Sequence, residues 1–374
     1  MTNQCKQCGG QVDYIPGSLL LKCTHCSSEE KIEVKLDSIP LHHFDDNEVT
    51  KSSINILKCP TCGAEFRQSN IAIDQCPYCT TIVVNESIIN KTEVGFDGII
   101  PFKISKYDAI EKIKKWRKKR CLSPNDFKKY IYQLDFLKGI YVPYWLIYTK
   151  THVNYKGKCG QESLTSKKTR WTGENGELTT RLENLALLGT TSIPKQIMDK
   201  TMPDFGEVVA EPWDNRWDFN QLLPFNDSFC FGFSSEMPQI EAIKVINNNE
   251  SKIKYELEQK VIQKIEKSGC DMGMVNNLSY KHLELDYRLV LLPVWISAFK
   301  FKNRVYQILV NGQSGEVIGE RPVSRFKVAI MWILIFILII YIGFIIALQN
   351  YWLWGLHLAL IIIAIYLKQL KKDN

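Results

Sequence analysis

The segment GIYVPYWLI, at positions 139–147, has a counterpart in LVLLPVWI at positions 289–296. Both segments are rich in β-branched and aromatic residues, as buried strands are. A charged, helix-like stretch precedes each of the two segments. A second shared motif stands before each of these stretches, IIPF at 99–102 and LLPF at 222–225. The sequence therefore predicts a tandem repeat of one α+β unit, and this repeat decides the fold of the region.

The two predicted copies span residues 99–210 and 211–324. In the first copy, residues 107–120 have the apolar spacing of a helix, with Ser105 as the predicted N-cap. In the second copy, residues 240–267 predict a longer helix. Its apolar stripe is formed by Ile253, Leu257, Val261 and Ile265. Strands follow both helices, so each helix is expected to pack on a curled antiparallel sheet.

Each strand-like run contains one proline, Pro143 in the first copy and Pro293 in the second. Proline has no N–H group to donate to a neighbouring strand. The two prolines therefore predict edge positions or bulges in place of central strands.

Eight of the twelve cysteines form four Cys-x-x-Cys pairs within the first eighty residues. The pairs are Cys5/Cys8 with Cys23/Cys26, and Cys59/Cys62 with Cys76/Cys79. One tight turn presents both sulfurs of a pair to one ion, and a second pair, separated from the first by fourteen or thirteen residues, completes a tetrahedron. The sequence predicts two small four-cysteine zinc ribbons, at residues 1–35 and 56–90, joined by a linker at 36–55.

Protein ligands fill all four positions of each predicted metal site, so both Zn²⁺ ions are expected to be structural and not catalytic. An iron site of the rubredoxin type has identical ligands and stays open as an alternative. His25 is expected to be a solvent-facing spacer inside its Cys pair. The remaining cysteines are spaced singly and are expected to be ordinary thiols: Cys121, Cys159, Cys230 and Cys270.

Two apolar runs without a charged side chain close the sequence, at residues 328–348 and 351–367. As helices they would span ~31 Å and ~26 Å, close to the ~30 Å hydrocarbon core of a bilayer. They predict a C-terminal two-helix transmembrane hairpin, followed by a tail at 368–374. Lysines and arginines precede the first run and lysines follow the second, and such residues stay in the cytoplasm. We therefore expect a multi-pass protein of the cell membrane, with the soluble region and both termini cytoplasmic.

The formal net charge of +7 over 374 residues is modest and suits an acidic partner surface, either anionic lipid or nucleic acid. Basic residues crowd the predicted helix at 106–120, where Trp116 is available to stack on a base. A solvated helix face is the commoner meaning of such a run. Nucleic-acid binding by this helix and the ribbons stays an alternative.

The paired CxxC ribbons, the GIYVPYWL and LLPVW segments and the turn VNGQSGEVIG at 310–319 together resemble bacterial TFIIB-type zinc-ribbon membrane proteins, the YdjG-like family. The resemblance covers most of the chain. It implies a setting beside phage-shock-type and flotillin-like (SPFH) membrane proteins, and so a role in envelope stress. Some members are labelled as primosomal protein N′, a replication helicase, but this chain has no phosphate-cradling G-x-x-x-x-G-K-[ST] segment.

The sequence predicts no catalytic residue and no cofactor-binding residue beyond the eight metal ligands. The G-x-S-x-G, H-E-x-x-H and G-x-G-x-x-G motifs are absent. Asp214, Asp218 and Asp227 cluster near two tryptophans without a nucleophile or a matched base, as in a surface loop. We expect a membrane-anchored, non-enzymatic zinc-binding adaptor whose partners are the bilayer and other membrane-associated proteins, with no small-molecule substrate.

Overall fold

The computed structural model describes residues 3–34, 38–44, 52–67, 75–83, 88–93, 95–118, 124, 137–162, 169–193, 217–302, 304–319 and 324–347. Three sequence expectations lie outside these ranges: the second apolar run at 351–367 with the tail at 368–374, Cys121, and Asp214. The chain forms two compact units, residues 1–119 with 130–320 and residues 120–129 with 321–374. The bounds predicted for the two repeat copies stay a prediction.

The first unit holds both four-cysteine clusters and most of the two predicted copies of the repeat. Its described strands are β1 (Val12–Tyr14), β2 (Leu20–Cys23), β3 (Glu29–Lys31), β4 (His42–His43), β5 (Ser52–Lys58), β6 (Glu65–Arg67), β7 (Ile88–Glu93), β8 (Gly98–Ile99), β9 (Lys138–Glu162), β10 (Thr169–Leu188), β11 (Leu223–Pro224), β12 (Ser234–Ser235), β13 (Met272–Phe301), β14 (Arg304–Asn311) and β15 (Val317–Gly319). Its described helices are α1 (Lys106–Lys118), α2 (Ala242–Asn248) and α3 (Glu250–Lys267).

The main sheet has the strand order β10-β9-β13-β14-β15, and every neighbouring pair along this path is antiparallel. At its centre the two repeated segments lie side by side: Gly139 pairs with Trp295, and Trp145 pairs with Leu289. Their side chains are buried on both faces, which explains why the sequence is continuously apolar there and does not alternate. The second ribbon packs on one face of this sheet, and α2 with α3 packs on the other.

Matched hydrogen bonds relate the two copies. The Trp145 indole donates to the carbonyl of Ile240, just before α2, and the Trp295 indole donates to the carbonyl of Ile104, just before α1, both at 2.9 Å. Each tryptophan therefore binds the helix entry of the other copy. The repeat is interlocked and does not form two separate lobes.

The prediction that the two prolines occupy edge positions is wrong, because Pro143 and Pro293 lie in the central strands β9 and β13. Both sit where the outer neighbour stops pairing, since the β10 and β14 ladders end at Leu188 and Asn311. Beyond those ends, Gly189 and Gly312 donate their N–H groups to the carbonyls of Pro143 and Pro293, at 2.9 and 2.8 Å.

The helices follow the predicted patterns with one break. Ser105 caps α1, because its hydroxyl accepts from the Asp108 N–H at 3.1 Å. The stripe predicted between residues 240 and 267 is buried as expected. The stretch forms two helices, however, because Asn249 has non-helical φ and ψ of −120° and 24°. Asparagine competes for backbone hydrogen bonds, and the Asn249 amide donates to the Val245 carbonyl at 2.7 Å.

The second unit contains α4 (Arg325–Ala347), which covers most of the first apolar run. Residues Arg325–Phe344 have a mean hydropathy of 2.6, and none of this window is buried within the described part of the chain. At ~1.5 Å per residue, α4 is long enough to cross a bilayer. The second helix of the predicted hairpin falls in the undescribed 351–367.

Candidate metal centres

The two four-cysteine sets predicted from the sequence each converge on one point. In both sets the four sulfur atoms lie within 4.8 Å of one another. The closest pairs are Cys5 with Cys26 at 3.7 Å and Cys8 with Cys23 at 3.5 Å in ribbon 1. In ribbon 2, Cys59 with Cys79 and Cys62 with Cys76 are both at 3.5 Å.

These separations fit a tetrahedral zinc site. With Zn–S bonds of ~2.3 Å, the edge of a regular sulfur tetrahedron is about 3.8 Å long. All four positions would be filled by thiolates, so an ion held there has no open position for water or substrate. The donor set is consistent with structural zinc in both ribbons, and iron in a four-thiolate site would have the same ligands.

One backbone turn recurs at all four Cys pairs. The N–H group of the residue four places after the first cysteine donates to that cysteine's carbonyl, at 2.9–3.1 Å. This residue has a positive φ at each turn: Gly9, Ser27, Gly63 and Thr80. Glycine adopts this conformation readily, whereas serine and threonine rarely do.

Hydroxyl groups lie within hydrogen-bond distance of the sulfurs in both ribbons, and these contacts were not predicted from the sequence. Ser28 lies 3.1 Å from both Cys5 and Cys26 in ribbon 1. Thr81 lies 3.2 Å from Cys79 in ribbon 2. Both hydroxyls stand two residues after the last cysteine of their ribbon, a position that spacing rules for metal ligands do not consider. Such partners orient the ligands of a metal.

These surroundings favour the thiolate form at particular cysteines. The hydrogen bond with Ser28 is the main cause that lowers the pKa of Cys5 to about 6. The hydrogen bond with Cys76 lowers the pKa of Cys62 to about 5, whereas burial raises the pKa of Cys59. The hydrogen bond with Ser28 also lowers the pKa of Cys26. Because the thiolate is the form that binds metal, each cluster contains at least one sulfur whose surroundings favour binding.

The two ribbons differ in how far they are packed against the body. The first cysteine of every pair is buried, Cys5 and Cys23 in ribbon 1 and Cys59 and Cys76 in ribbon 2. The second cysteines are exposed in ribbon 1 (Cys8 and Cys26) and half-buried in ribbon 2 (Cys62 and Cys79). The ribbon 2 cysteines contribute to the main hydrophobic core, together with Phe66 and Tyr78. Ribbon 2 is thus built into the body of the protein, and ribbon 1 stands at its surface.

Tyr78 is the side chain that fixes ribbon 2 to the body. It lies between Cys76 and Cys79, is 1% exposed, and its hydroxyl donates to the Glu236 carboxylate at 2.5 Å. The Glu236 carboxylate also accepts from the hydroxyls of Thr190 and Ser192. Burial raises the pKa of Glu236 to about 7, and these three hydroxyl donors partly oppose the shift.

Residues of the body also donate hydrogen bonds to backbone carbonyls of ribbon 2. Gln307 and Gln239 donate their side-chain amides to the carbonyls of Tyr78 and Gly63, both at 2.8 Å. The N–H group of Met237 donates to the Glu65 carbonyl at 2.8 Å. Ribbon 2 therefore shares hydrogen bonds as well as apolar surface with the main sheet.

Ribbon 1 is attached by the end opposite to its cysteine turns. The Tyr14 hydroxyl donates to the Phe102 carbonyl at 3.0 Å, and its ring packs edge-on against Phe229. His25 occupies the position in its Cys pair that Tyr78 occupies in ribbon 2, and it is exposed, as predicted. The turns of ribbon 1 consequently face solvent.

The cysteines outside the ribbons depart from expectation. Cys159 on β9 and Cys270, just after α3, form a disulfide with an S–S distance of 2.06 Å, so the prediction of ordinary thiols is wrong for this pair. The two residues are 111 positions apart, and the antiparallel pairing of β9 with the start of β13, where Cys159 pairs with Gly273, brings them together. Cys230 remains a thiol, and burial raises its pKa to about 12.

The proposed base-stacking role of Trp116 is also wrong, because this side chain is only 8% exposed and packs as part of the core. The lysines at 106, 112, 115 and 118 on α1 are exposed. Of the predicted carboxylate cluster, Asp218 caps a short turn by accepting from Asn220, and Asp227 pairs with Arg67 at 2.6 Å. Both have structural partners.

Comparisons with known proteins give one distant likeness. No family model matches the sequence, and no solved structure matches it. The chain is similar to a curated protein named uncharacterized protein YdjG, from Bacillus subtilis (strain 168), with 24% identity over 236 residues. The alignment covers 62% of this chain and 65% of the length of that relative. This likeness assigns neither a TFIIB-type family nor an activity.

Replacing ligands in the two ribbons should separate their roles. We expect the wild-type chain to bind about two zinc ions, and both Cys59→Ser/Cys62→Ser and Cys5→Ser/Cys8→Ser to reduce this to about one. Only the ribbon 2 variant should lower the thermal unfolding temperature of the body markedly, because its ligands lie in the core. Metal content by mass spectrometry and thermal unfolding of the full-length protein in detergent test this; equal destabilisation by both variants would contradict the assignment.

The Glu236 network can be tested by substitution. Glu236→Ala removes the acceptor that three buried hydroxyl groups share, and Thr190 alone of the three keeps a second side-chain carbonyl acceptor, Gln239, at 3.3 Å. The variant should lower the free energy of unfolding by about 3 kcal/mol. Glu236→Gln keeps one acceptor and should cost clearly less. As a control, Glu284→Ala removes an exposed ion pair with Lys150 and should cost under about 1 kcal/mol. Urea unfolding followed by tryptophan fluorescence measures all three, and an alanine variant as stable as wild type would refute the role of this carboxylate.

Proposed function

We propose that this chain is a membrane-anchored, zinc-binding, non-enzymatic adaptor, with ribbon 1 as its docking surface. The observation that carries the proposal is the difference between the two ribbons. In ribbon 2, Tyr78 is buried in the hydrophobic core. In ribbon 1, the equivalent residue His25 is exposed, together with Cys8 and Cys26. A zinc-braced turn is a small, rigid surface, which lowers the entropic cost of binding a partner.

The anchor complements this surface. Helix α4 is long and apolar enough to cross a bilayer. A docking surface tethered to a membrane confines its partners to two dimensions and raises their local concentration. The finer parts of the proposal are a two-helix anchor with residues 351–367 as its second helix, a cytoplasmic body, TFIIB-type ribbons, and envelope-stress proteins of the phage-shock or SPFH type as partners.

Nucleic-acid binding is the weaker candidate. Four exposed lysines on α1 favour it, but Trp116 faces the core and is not available to a base. Phosphate-driven binding would also weaken steeply as salt rises, whereas an interface with an apolar core would not.

A pull-down from gently solubilised membranes tests the docking role of ribbon 1. Gln7→Ala/His25→Ala changes exposed side chains of the turns and keeps all four ligands, so it should retain zinc and lose bound membrane proteins. Thr61→Ala, at the position in ribbon 2 that corresponds to Gln7, is the matched control and should keep them. Samples are compared with and without nuclease. Partners that persist in the double variant would contradict the docking role, and partners recovered only without nuclease would favour nucleic acid.

The cytoplasmic placement makes a separate prediction about Cys159 and Cys270. Cytoplasmic glutathione and thioredoxin keep thiols reduced, so the proposed cytoplasmic body predicts that this pair is isolated from intact cells mainly as two thiols, although the two cysteines form a disulfide in the structure. Cells are quenched in acid, the protein is denatured and alkylated, and the mass added at each cysteine is measured. A largely oxidised pair in cells quenched during normal growth would place the body outside the cytoplasm.

A further inference from the structure

The outer parts of β9, β10 and β13 form a three-stranded arm, comprising residues 150–162, 169–181 and 272–284. Helix α3 covers one face of this arm. Val153, Tyr155 and Leu278 are buried beneath its stripe, which contains Leu257 and Val261. The opposite face, called the open face here, has no helix or strand packed on it among the described residues.

The tip of the open face carries three exposed apolar side chains in adjacent register positions. Gly160 on β9 pairs with both Trp171 on β10 and Met272 on β13, and the next position on the same face pairs Lys158 with Met274. Trp171, Met272 and Met274 are 40%, 42% and 45% exposed. Three such side chains clustered at one end of a sheet mark an interaction site more than scattered ones do.

Gly160 makes room for this cluster. A Cβ atom built at position 160 would lie 2.9 Å from Cζ3 of Trp171, so the indole occupies the space that a side chain there would take. The absence of a side chain at Gly160 thus lets Trp171 rest against the backbone of β9, with two fifths of its surface still exposed.

The charges beside the tip are mainly positive. The cations of the open face are Lys150, Lys156, Lys158, Arg181 and Lys281, and its carboxylates are Glu162, Glu177 and Glu284. Glu284 is paired with Lys150 at 2.9 Å, and Glu177 lies 3.6 Å from His152. Among the described residues, Lys156 and Lys158 have no carboxylate within ion-pair distance. Of the described cations on the open face, they pair closest to the apolar tip.

We propose that the open face of the arm binds an anionic bilayer, with Trp171, Met272 and Met274 entering the interface and Lys156 and Lys158 contacting headgroups. Tryptophan favours the boundary between water and hydrocarbon, and each lysine near an anionic surface adds attraction. A chain that carries a membrane-length helix has such a surface at high effective concentration. The proposal depends on the arm alone and holds whether or not ribbon 1 docks a partner.

Single-stranded nucleic acid suits this surface less well. Proteins that bind it without sequence preference stack successive bases on several aromatic rings. Trp171 is the one aromatic side chain at the tip among the described residues, and its neighbours there are methionines, which offer no ring.

Vesicle flotation tests the proposal. Full-length protein in nanodiscs of neutral phosphatidylcholine is mixed with vesicles of phosphatidylcholine alone, or with 30% phosphatidylglycerol as an anionic probe. We expect co-flotation with the anionic vesicles only. Lys156→Glu/Lys158→Glu should weaken it at least about tenfold, and Trp171→Ser/Met272→Ser should weaken it at unchanged charge.

The matched control is Lys254→Glu/Lys260→Glu, which makes the same change of charge on exposed positions of α3, on the opposite face of the arm. It should float like wild type. Equal losses in both lysine variants would overturn the proposal in favour of general charge attraction. Failure of wild type to float, with binding of a fluorescent oligonucleotide that needs Lys156 and Lys158, would replace the bilayer with nucleic acid. Zinc content and thermal unfolding, compared across all variants, confirm that each is folded.

Discussion

The antiparallel pairing of β9 with β13 is the interaction on which the rest of the structure depends. It runs from Lys138 opposite Ile296 to Gly160 opposite Met272 and joins the two copies of the repeat along their most apolar segments. Ribbon 2 packs on one face of the resulting strand pair, and α2 and α3 pack on the other. Without this pairing, ribbon 2 and the helices α2 and α3 would have no sheet to pack on.

A single position explains why two ribbons built from the same Cys-x-x-Cys pairs have different environments. In ribbon 2 this position holds Tyr78, whose ring reaches the core and whose hydroxyl reaches Glu236. In ribbon 1 it holds His25, which remains in solvent. The cysteines form the turn in both ribbons. The residue just before the last cysteine, Tyr78 or His25, determines whether the turn packs against the body or is exposed to solvent.

The sequence predicts those features that depend on local spacing. The two four-cysteine clusters, the Ser105 cap, the buried stripe of α3 and the apolar helix α4 each depend on short-range spacing that backbone geometry fixes. Features that depend on packing between distant segments have no such signal. The Cys159–Cys270 bond, the buried side of Trp116 and the central position of Pro143 each follow from the register of strands far apart in the chain, and this register cannot be derived from spacing.

The crossed hydrogen bonds between the copies bear on how such a chain arose. Because Trp145 binds the helix entry of the second copy and Trp295 that of the first, one copy alone would leave its indole and its helix entry without partners. Two identical chains, side by side and antiparallel, would satisfy both. An ancestral single-copy protein built on this plan would therefore have been a symmetric dimer, and gene fusion would have made its association permanent.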